Sequence, residues 1–553
     1  RFAYHAKRFA PVDIQRDAIH GFQRFAVAHV EVFAYVFKGN EFFTVLFCHS
    51  QFPSFLCTGQ AGRSRQQPTW LHFGAGNLFR AFPAVLAQRL LNAGETDTGV
   101  LCCEAYDTDA VTQFLRPYDD LTLSVSLLAD GSMEKEVVGS IAQSLTLPQD
   151  RCRVEEIFRA PSLQMVSFTI TEKGYAVNAA VKEDMGRAPG EAQTLLGALA
   201  ACCLARFEAC GAPLALVSMD NCSQNGEKLR EGFFAVLDAW KAAGHVSPEA
   251  YAWAQEKLSF PWSMIDKITP RPHESVQKAL AADGWEGMDI QVTGKNTYIA
   301  PFVNTEKPQY LVIEDDFPAG RPPLEKAGVL FTSRDTVNAV ERMKVCTCLN
   351  PLHTALAIFG CLLGHTSIAG EMADPDLRDF VTTMAYEEGM PVVIDPGVIE
   401  PKAFLEEVLT QRFPNPFIPD TPQRIATDTS QKLPIRFGVD IGLHLERGTA
   451  GQLQRMPLVL AGWLRYLKAV DDQGQPFTCS PDPLLEKVQP IAQAIPFGTQ
   501  ATQEDFGSLL EDASIWGVDL KASGLSALVV EDFNRLNQGP GAVRTTLEQL
   551  RKG

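Results

Sequence analysis

Positive charge is scarce in this chain of 553 residues, where 49 lysines and arginines face 66 aspartates and glutamates for a net charge of −17. A nucleic-acid partner needs clustered cations to displace counterions, so that class is excluded and a small molecule is favoured. Long hydrophobic runs are also absent. No unbroken apolar stretch reaches the roughly 18 residues of a membrane span, and residues 1–30 lack the charged start, apolar middle and small-residue cleavage site of a secretory signal. Paired CxxC motifs are missing too. The thirteen cysteines, an odd number with Cys102-Cys103 and Cys202-Cys203 adjacent, suit reduced thiols in the cytoplasm. Scattered histidines without HxxEH spacing suggest no metal site.

Leucine and methionine are short in one region. Residues 1–66 hold eleven of the 34 phenylalanines and four of the ten histidines, but only Leu46 and Leu56 and no methionine. Their charge is basic, with eight lysines and arginines against four acidic residues. Two readings stay open: an appended segment with strands around Val30–Phe37 and Phe42–Cys48, or a non-native or disordered extension.

From residue 67 the texture is that of an alternating α/β protein. An apolar run, Pro68–Phe73, ends in Gly74-Ala75-Gly76, and Asn77–Leu91 carries apolar side chains at helical spacing: strand, glycine turn, helix. A second apolar run, Gly99–Cys103, ends on Glu104. A hairpin is expected around Asp130-Gly131, with strands near Leu121–Leu127 and Val137–Ile141. The strand-like Leu163–Ile170, the helical Glu191–Cys210 and the strand-like Leu214–Met219 continue the alternation, which implies a doubly wound, mostly parallel sheet over residues 67–330. Residues 331–553 read as mainly α-helical, with amphipathic stretches at Pro351–Leu363, Pro375–Glu388, Ala403–Arg412 and Leu453–Val470. The Pro- and Gly-rich Phe317–Pro323 is the natural connection.

In the turn, Gly74 permits a tight bend and Gly76 a close approach of backbone to a pyrophosphate at a helix N-terminus. Glu104 would accept from a ribose diol and repel a 2′-phosphate, which favours NAD over NADP. The third glycine of the dinucleotide fingerprint is replaced by Phe79.

The stretch "HFGAGNLFRAF" is followed in order by "VSFTITEKGY" (166–175), "SMDNCSQNG" (218–226), "FPWSMIDKITP" (260–270), "VIEDDFPAGRPP" (312–323), "ERMK" (341–344), "LNPLH" (349–353) and "RIATDTSQKLP" (424–434). This series resembles the polyol-specific long-chain dehydrogenase family, which contains mannitol 2-dehydrogenase, the fructuronate and tagaturonate reductases and mannitol-1-phosphate 5-dehydrogenase. The resemblance implies a Rossmann-like N-terminal domain, a helical C-terminal domain and metal-free hydride transfer between NAD and a secondary alcohol of an open-chain hexitol or hexonate. Family members are often monomeric.

The resemblance makes Lys344 the acid–base group, which needs burial and neighbouring cations to act near neutral pH; Arg424 and Lys432, the family's substrate-binding pair, are the candidate cations. Asn350 and Asn221 would form an oxyanion hole, His353 would orient the substrate oxygen, Glu341 would pass the proton to water, and Asp266 would accept from a substrate hydroxyl. Gly74, Ala75, Gly76, Asn77, Arg80 and Glu104 would hold the cofactor. Structural alternatives accompany several of these: Asn350 before Pro351 suits a helix cap, Asp266 a cap or turn, and Glu341 a solvated helix face. Met264, Ile265 and Ile268 read as core, and Glu172 is given no role. In the family the lysine and the asparagine are five positions apart, whereas Lys344 and Asn350 are six apart, an extra residue that the turn before Asn350 would have to absorb. Phe82, where mannitol enzymes carry histidine, leans towards a hexonate substrate. A catalytically silent NAD-binding sensor on the same fold is the alternative of a different class.

Overall fold

The computed structural model describes residues 32–38, 41–47 and 58–552. Taken by themselves, β1 (Val32–Lys38) and β2 (Glu41–Phe47) form an antiparallel hairpin in which Val32 faces Phe47 and Lys38 faces Glu41. The rest of the atypical stretch up to residue 57 lies outside the described residues.

Helix α1 (Thr58–Gln66) begins the second unit and leads into β3 (Trp70–Phe73), the glycine turn, and helices α2 (Asn77–Ala81) and α3 (Pro83–Ala93). A single helix over Asn77–Leu91 was expected. It breaks at Phe82 because Pro83 has no N–H to donate and forces its predecessor out of helical geometry, with φ −134° and ψ −73°. The strands β4 (Val100–Glu104), β5 (Thr122–Leu127), β6 (Met133–Val138), β7 (Ile141–Thr146), β8 (Met165–Phe168), β9 (Leu214–Ser218) and β10 (Leu258–Ser259) follow. Six of them pair in parallel in the order β10-β9-β8-β3-β4-β7, so the chain winds one way from β3 and then returns past it to wind the other. That is the doubly wound order, with its topological switch point beside β3.

Burial explains the parallel pairing. Every residue of β3, β4, β8 and β9 is buried, and alternate side chains enter opposite cores. Leu101 and Cys103 pack with Leu71, Phe73, Val166 and Phe168 on one face; Val100 and Cys102 pack with Trp70, Met165 and Val217 on the other. A strand buried on both faces needs helices on both, as in α4 (Leu195–Ala209), whose start is capped by Thr194 accepting from the Gly197 N–H. The expected hairpin is present as β5 and β6, but its second strand begins at Met133, four residues before the expected Val137, and ends at Val138, since Ile141 starts β7; the hairpin gains an unanticipated parallel partner, β12 (Phe302–Glu306). A further sheet joins β11 (Ser263–Asp266), β13 (Tyr310–Glu314) and β14 (Leu330–Thr332). Because β14 lies beyond Phe317–Pro323, that segment is a turn inside the first half as well as a connection.

The C-terminal half is helical around its own core, which includes Phe359, Phe380, Trp463 and Trp516. Its axis is α5 (Arg334–Arg342), a π-helical turn at Met343–Cys348, and α6 (Asn350–Leu363). This run, Arg334–Leu363, is long and apolar enough to cross a membrane, but 83% of its most apolar window is buried inside the protein, as expected of a core helix. Further π-turns occur at Met384–Gly389, Val408–Arg412 and Pro434–Gly438.

Helix α1 packs on the sheet: Ser64 is fully buried and its Oγ accepts from the Gly99 N–H at 2.9 Å, while Arg65 Nε donates to the Ala142 carbonyl at 3.0 Å. The folded unit therefore extends nine residues upstream of residue 67. A chain beginning at Thr58 keeps these bonds and one beginning at Gln67 loses them, so the second is expected to melt at a lower temperature by scanning calorimetry. Equal melting temperatures would show that α1 adds nothing.

Candidate active site

The two glycines of the first turn serve different needs. Gly74 has φ +111°, and a Cβ there would lie 2.3 Å from the Thr169 carbonyl oxygen, so the crossing of this turn against the end of β8 admits no side chain. Gly76 begins α2 with φ −71°, and a Cβ there would meet no atom within 4 Å. Protein packing does not demand a glycine at 76. The open space lies over backbone N–H groups at the switch point, a fit for the pyrophosphate of a dinucleotide.

Glu104 ends the adjacent strand β4. Its Oε2 accepts from the Ala75 N–H at 2.7 Å, and its Oε1 accepts from the Tyr106 and Asp107 N–H groups at 2.9 and 3.2 Å. The carboxylate thus holds the turn in shape beside the place a ribose would occupy. Phe79, in the third glycine's position, is buried and stacks on His72 at 4.2 Å. His72 sits between the Ser167 and Thr169 hydroxyls at 2.6 and 2.8 Å, and burial pulls its pKa down to about 3. Arg80 requires a correction. It is fully buried, donating to Thr122 Oγ1, the Ala300 carbonyl and Asn77 Oδ1, so its guanidinium braces α2 against β5 and β12 and is not available to a cofactor phosphate. The same bond occupies Asn77 Oδ1.

Lys344 lies on the π-turn with 6% of its side chain exposed, and its Nζ is 2.7 Å from Asp266 Oδ1 at the end of β11. Both Asp266 oxygens also receive Arg412, Nη1 to Oδ2 at 2.5 Å and Nη2 to Oδ1 at 3.1 Å. Arg412 then donates from Nε and Nη2 to Glu306, at the end of β12, at 3.0 and 2.8 Å. Burial would raise the Asp266 carboxyl, but the Lys344 ammonium and the Arg412 guanidinium outweigh it and hold the group well below the usual carboxylate range. Burial prevails at Glu306 and pushes its carboxyl up. Two expectations change here: Asp266 is occupied by two protein cations before any substrate hydroxyl arrives, and the neighbour of Lys344 is this carboxylate, not Arg424 or Lys432.

The extra residue before Asn350 is absorbed in the π-turn. The Leu349 N–H reaches back five residues to the Lys344 carbonyl at 3.1 Å, one more than in an α-helix, so Lys344 and Asn350 stand on the flanks of one widened turn. Thr347 Oγ1 donates to Asp440 Oδ1 at 3.1 Å and fixes the turn from behind. Asn350 is the first residue of α6, with Leu349 in the cap position. Its side chain caps nothing, and its amide forms no hydrogen bond among the described residues.

One turn further on, His353 Nε2 is buried, lies 3.6 Å from Asp420 Oδ2 and has no hydrogen-bond partner. Burial first, then the cations Arg436, Arg424, Arg412 and Lys432, pull its pKa down to about 3, so the ring is neutral at physiological pH. Arg424 pairs with Asp420, and Lys432 donates to the Ile425 and Thr427 carbonyls. Glu341, near the end of α5, faces the turn after β9 that carries the exposed Asn221. Burial, and the carboxylates Asp220, Glu172 and Glu341 against Lys228, push the Cys222 thiol in that turn up to about 11. Glu172, given no role above, pairs with Lys228. Phe82 is buried in the sheet core, so the histidine position of the mannitol enzymes is filled here by packing.

Arg412, Glu306 and Arg436 were not anticipated. Glu306 ends the fully buried strand "FVNTE" and Arg412 ends the helical turn "VLTQR". An ionisable residue at the end of an apolar run is a usable signal, but its partner, more than 100 positions away, is not readable locally. No group of three His, Cys, Asp or Glu side chains suited to a metal occurs among the described residues.

Residues 68–326 match the family model described as the mannitol dehydrogenase Rossmann domain, and residues 336–537 match the mannitol dehydrogenase C-terminal domain. The chain is 47% identical over 502 residues to D-mannonate oxidoreductase of Thermotoga maritima, covering 88% of this chain and 93% of that one. Among solved structures, a substrate-free D-sorbitol dehydrogenase is similar with a TM-score of 0.73 at 25% identity, covering 86% and 95% of the two chains. The Pseudomonas fluorescens mannitol 2-dehydrogenase ternary complex with NAD and D-mannitol is similar with a TM-score of 0.64 at 26% identity, covering 88% and 94%.

His72 and His353 yield a pH dependence. Both pKa values fall from 6.5 to about 3 on folding, so between these limits the unfolded chain binds protons that the folded chain does not. Their contribution is complete above about 6.5 and is lost as the pH falls towards 3. The melting temperature of His72→Gln is expected to decline less steeply than that of wild type from pH 6.5 to about 4. Parallel declines would mean that His72 protonates within the fold.

Proposed function

The chain belongs to the mannitol dehydrogenase family and is a nicotinamide-dependent oxidoreductase of CH–OH groups, and from that premise we propose that it interconverts a keto-hexonate and a hexonate, using NAD in preference to NADP. The observation that carries the reading is the buried Lys344–Asp266 pair, 2.7 Å apart, on the turn that leads directly into Asn350 and His353. The 47% identity to a D-mannonate oxidoreductase supports an acid over a hexitol.

When bound, the nicotinamide supplies or accepts the hydride. In ketone reduction, Lys344 Nζ gives a proton to the carbonyl oxygen as it becomes hydroxyl; in oxidation it takes that proton back. Asp266 aims the ammonium, and Arg412 and Glu306 hold Asp266. The free Asn350 amide and Asn221 donate to the oxygen as negative charge grows on it, and a neutral His353 orients it without adding charge. Glu341 returns the proton to water. Arg424 and Lys432 bind the polyhydroxy chain. With an ammonium at the oxygen, the reaction needs no Lewis acid. Gly76, on the turn that Gly74 and Ala75 shape, would hold the pyrophosphate, and the Glu104 charge would lie towards the adenosine ribose, where it would disfavour a 2′-phosphate.

Following NADH absorbance across keto-hexonates, ketoses and their phosphates should show the highest kcat/KM for a keto-hexonate; a higher value for an uncharged ketose would overturn the substrate assignment. Lys344→Met should cut turnover in both directions while NADH still binds, and Asn350→Ala should lower kcat by about 10²–10³, the effect of removing one oxyanion donor. Near-normal turnover in Lys344→Met would move the acid–base role elsewhere. Glu104→Ala should narrow the ratio of NAD to NADP efficiency, and an unchanged ratio would remove Glu104 from cofactor choice.

A further inference from the structure

We infer that Arg436 is the residue that recognises the carboxylate of the sugar acid, an assignment that rests on the hexonate reading above. The cations around Asn350 and His353 differ in how far the protein neutralises them. Arg412 is shared between two carboxylates, Lys344 is paired with Asp266, and Arg424 with Asp420. Lys432 donates to two carbonyls and has Asp428 and Asp482 in its surroundings. Arg436 forms no ion pair among the described residues. Only its Nη1 is engaged, donating to Thr354 Oγ1 at 2.6 Å and to the Asn350 carbonyl at 3.4 Å.

The position of this unpaired guanidinium gives it meaning. Arg436 stands on the π-turn Pro434–Gly438, which packs against both the π-turn of Lys344 and the first part of α6. Its contacts anchor it against the backbone of Asn350, beside the start of α6. It is partly buried, and burial draws its pKa down to about 10 with no acidic neighbour to oppose the effect. Removing a cation from water without an anion is unfavourable, so the site is incomplete until a negative group enters. The Nε and Nη2 donors make no bond among the described residues and form the planar fork that meets a carboxylate through two parallel hydrogen bonds. An uncharged hexitol or ketose has a hydroxyl at that chain end and can satisfy neither the charge nor the fork.

The test measures KM and kcat for Arg436→Met and Arg436→Lys with a keto-hexonate and with the corresponding uncharged ketose, with NADH fluorescence confirming that each variant folds and binds cofactor. Arg436→Met is expected to raise the hexonate KM by roughly 10- to 100-fold, the scale of losing a charge-assisted bidentate contact. The rise for the uncharged ketose should be much smaller. Arg436→Lys, which keeps charge but loses the fork, should recover only part of the loss. A hexonate KM unchanged in Arg436→Met, or raised equally for both substrates, overturns this inference while leaving the hexonate reading intact. A wild type that turns over no keto-hexonate overturns that reading, and this inference with it.

Discussion

The buried chain of charges Lys344–Asp266–Arg412–Glu306 is the constraint on which the site depends. It joins the ends of two strands, β11 and β12, to two π-turns of the helical half, so the parts of the fold that carry substrate chemistry are held by charge-assisted bonds as well as by packing. Such a network is not retained for stability alone, since well-packed apolar residues of similar volume often serve as well. Its value lies in direction. An ammonium pinned by a carboxylate on one side is restricted in the directions left to it, on a turn that leads directly into α6.

Much of the architecture was legible because the strands of a doubly wound sheet are buried on both faces and so read as short apolar runs, each followed by a helix. The run before Gly74, the one before Glu104 and Leu214–Ser218 fell where that pattern placed them. The short strands β12 to β14 were missed because they alternate less and pair across long sequence separations. The break at Phe82 is local chemistry, and Pro83 was there to announce it. Lys344, Asn350 and His353 were named as candidates through their spacing and family resemblance. Their electrical surroundings were not, because which charges approach Lys344 depends on where Arg412 arrives from, and that is settled by tertiary packing.

The two ends of the cleft differ in kind. At the nucleotide end, backbone N–H groups and one carboxylate define the surroundings, and Gly76 leaves space over the turn. At the other end, Arg436 and Lys432 lack paired carboxylates, and a neutral His353 sits among them. The sugar acid proposed above and a dinucleotide would therefore not compete for the same cations, which would help to bring the two reactants together in one orientation.

The π-turns have a consequence for how such an enzyme changes over generations. Lys344, Arg412 and Arg436 each stand on one, and each is a helix carrying a residue more than regular winding would use. Losing a single codon within such a turn would restore regular winding and keep the helix on either side in phase, so that only the side chains inside the turn change direction, with little cost to the buried backbone. Small insertions and deletions, usually regarded as damage to a core helix, thus become a way to redirect individual side chains in the cleft while the scaffold persists.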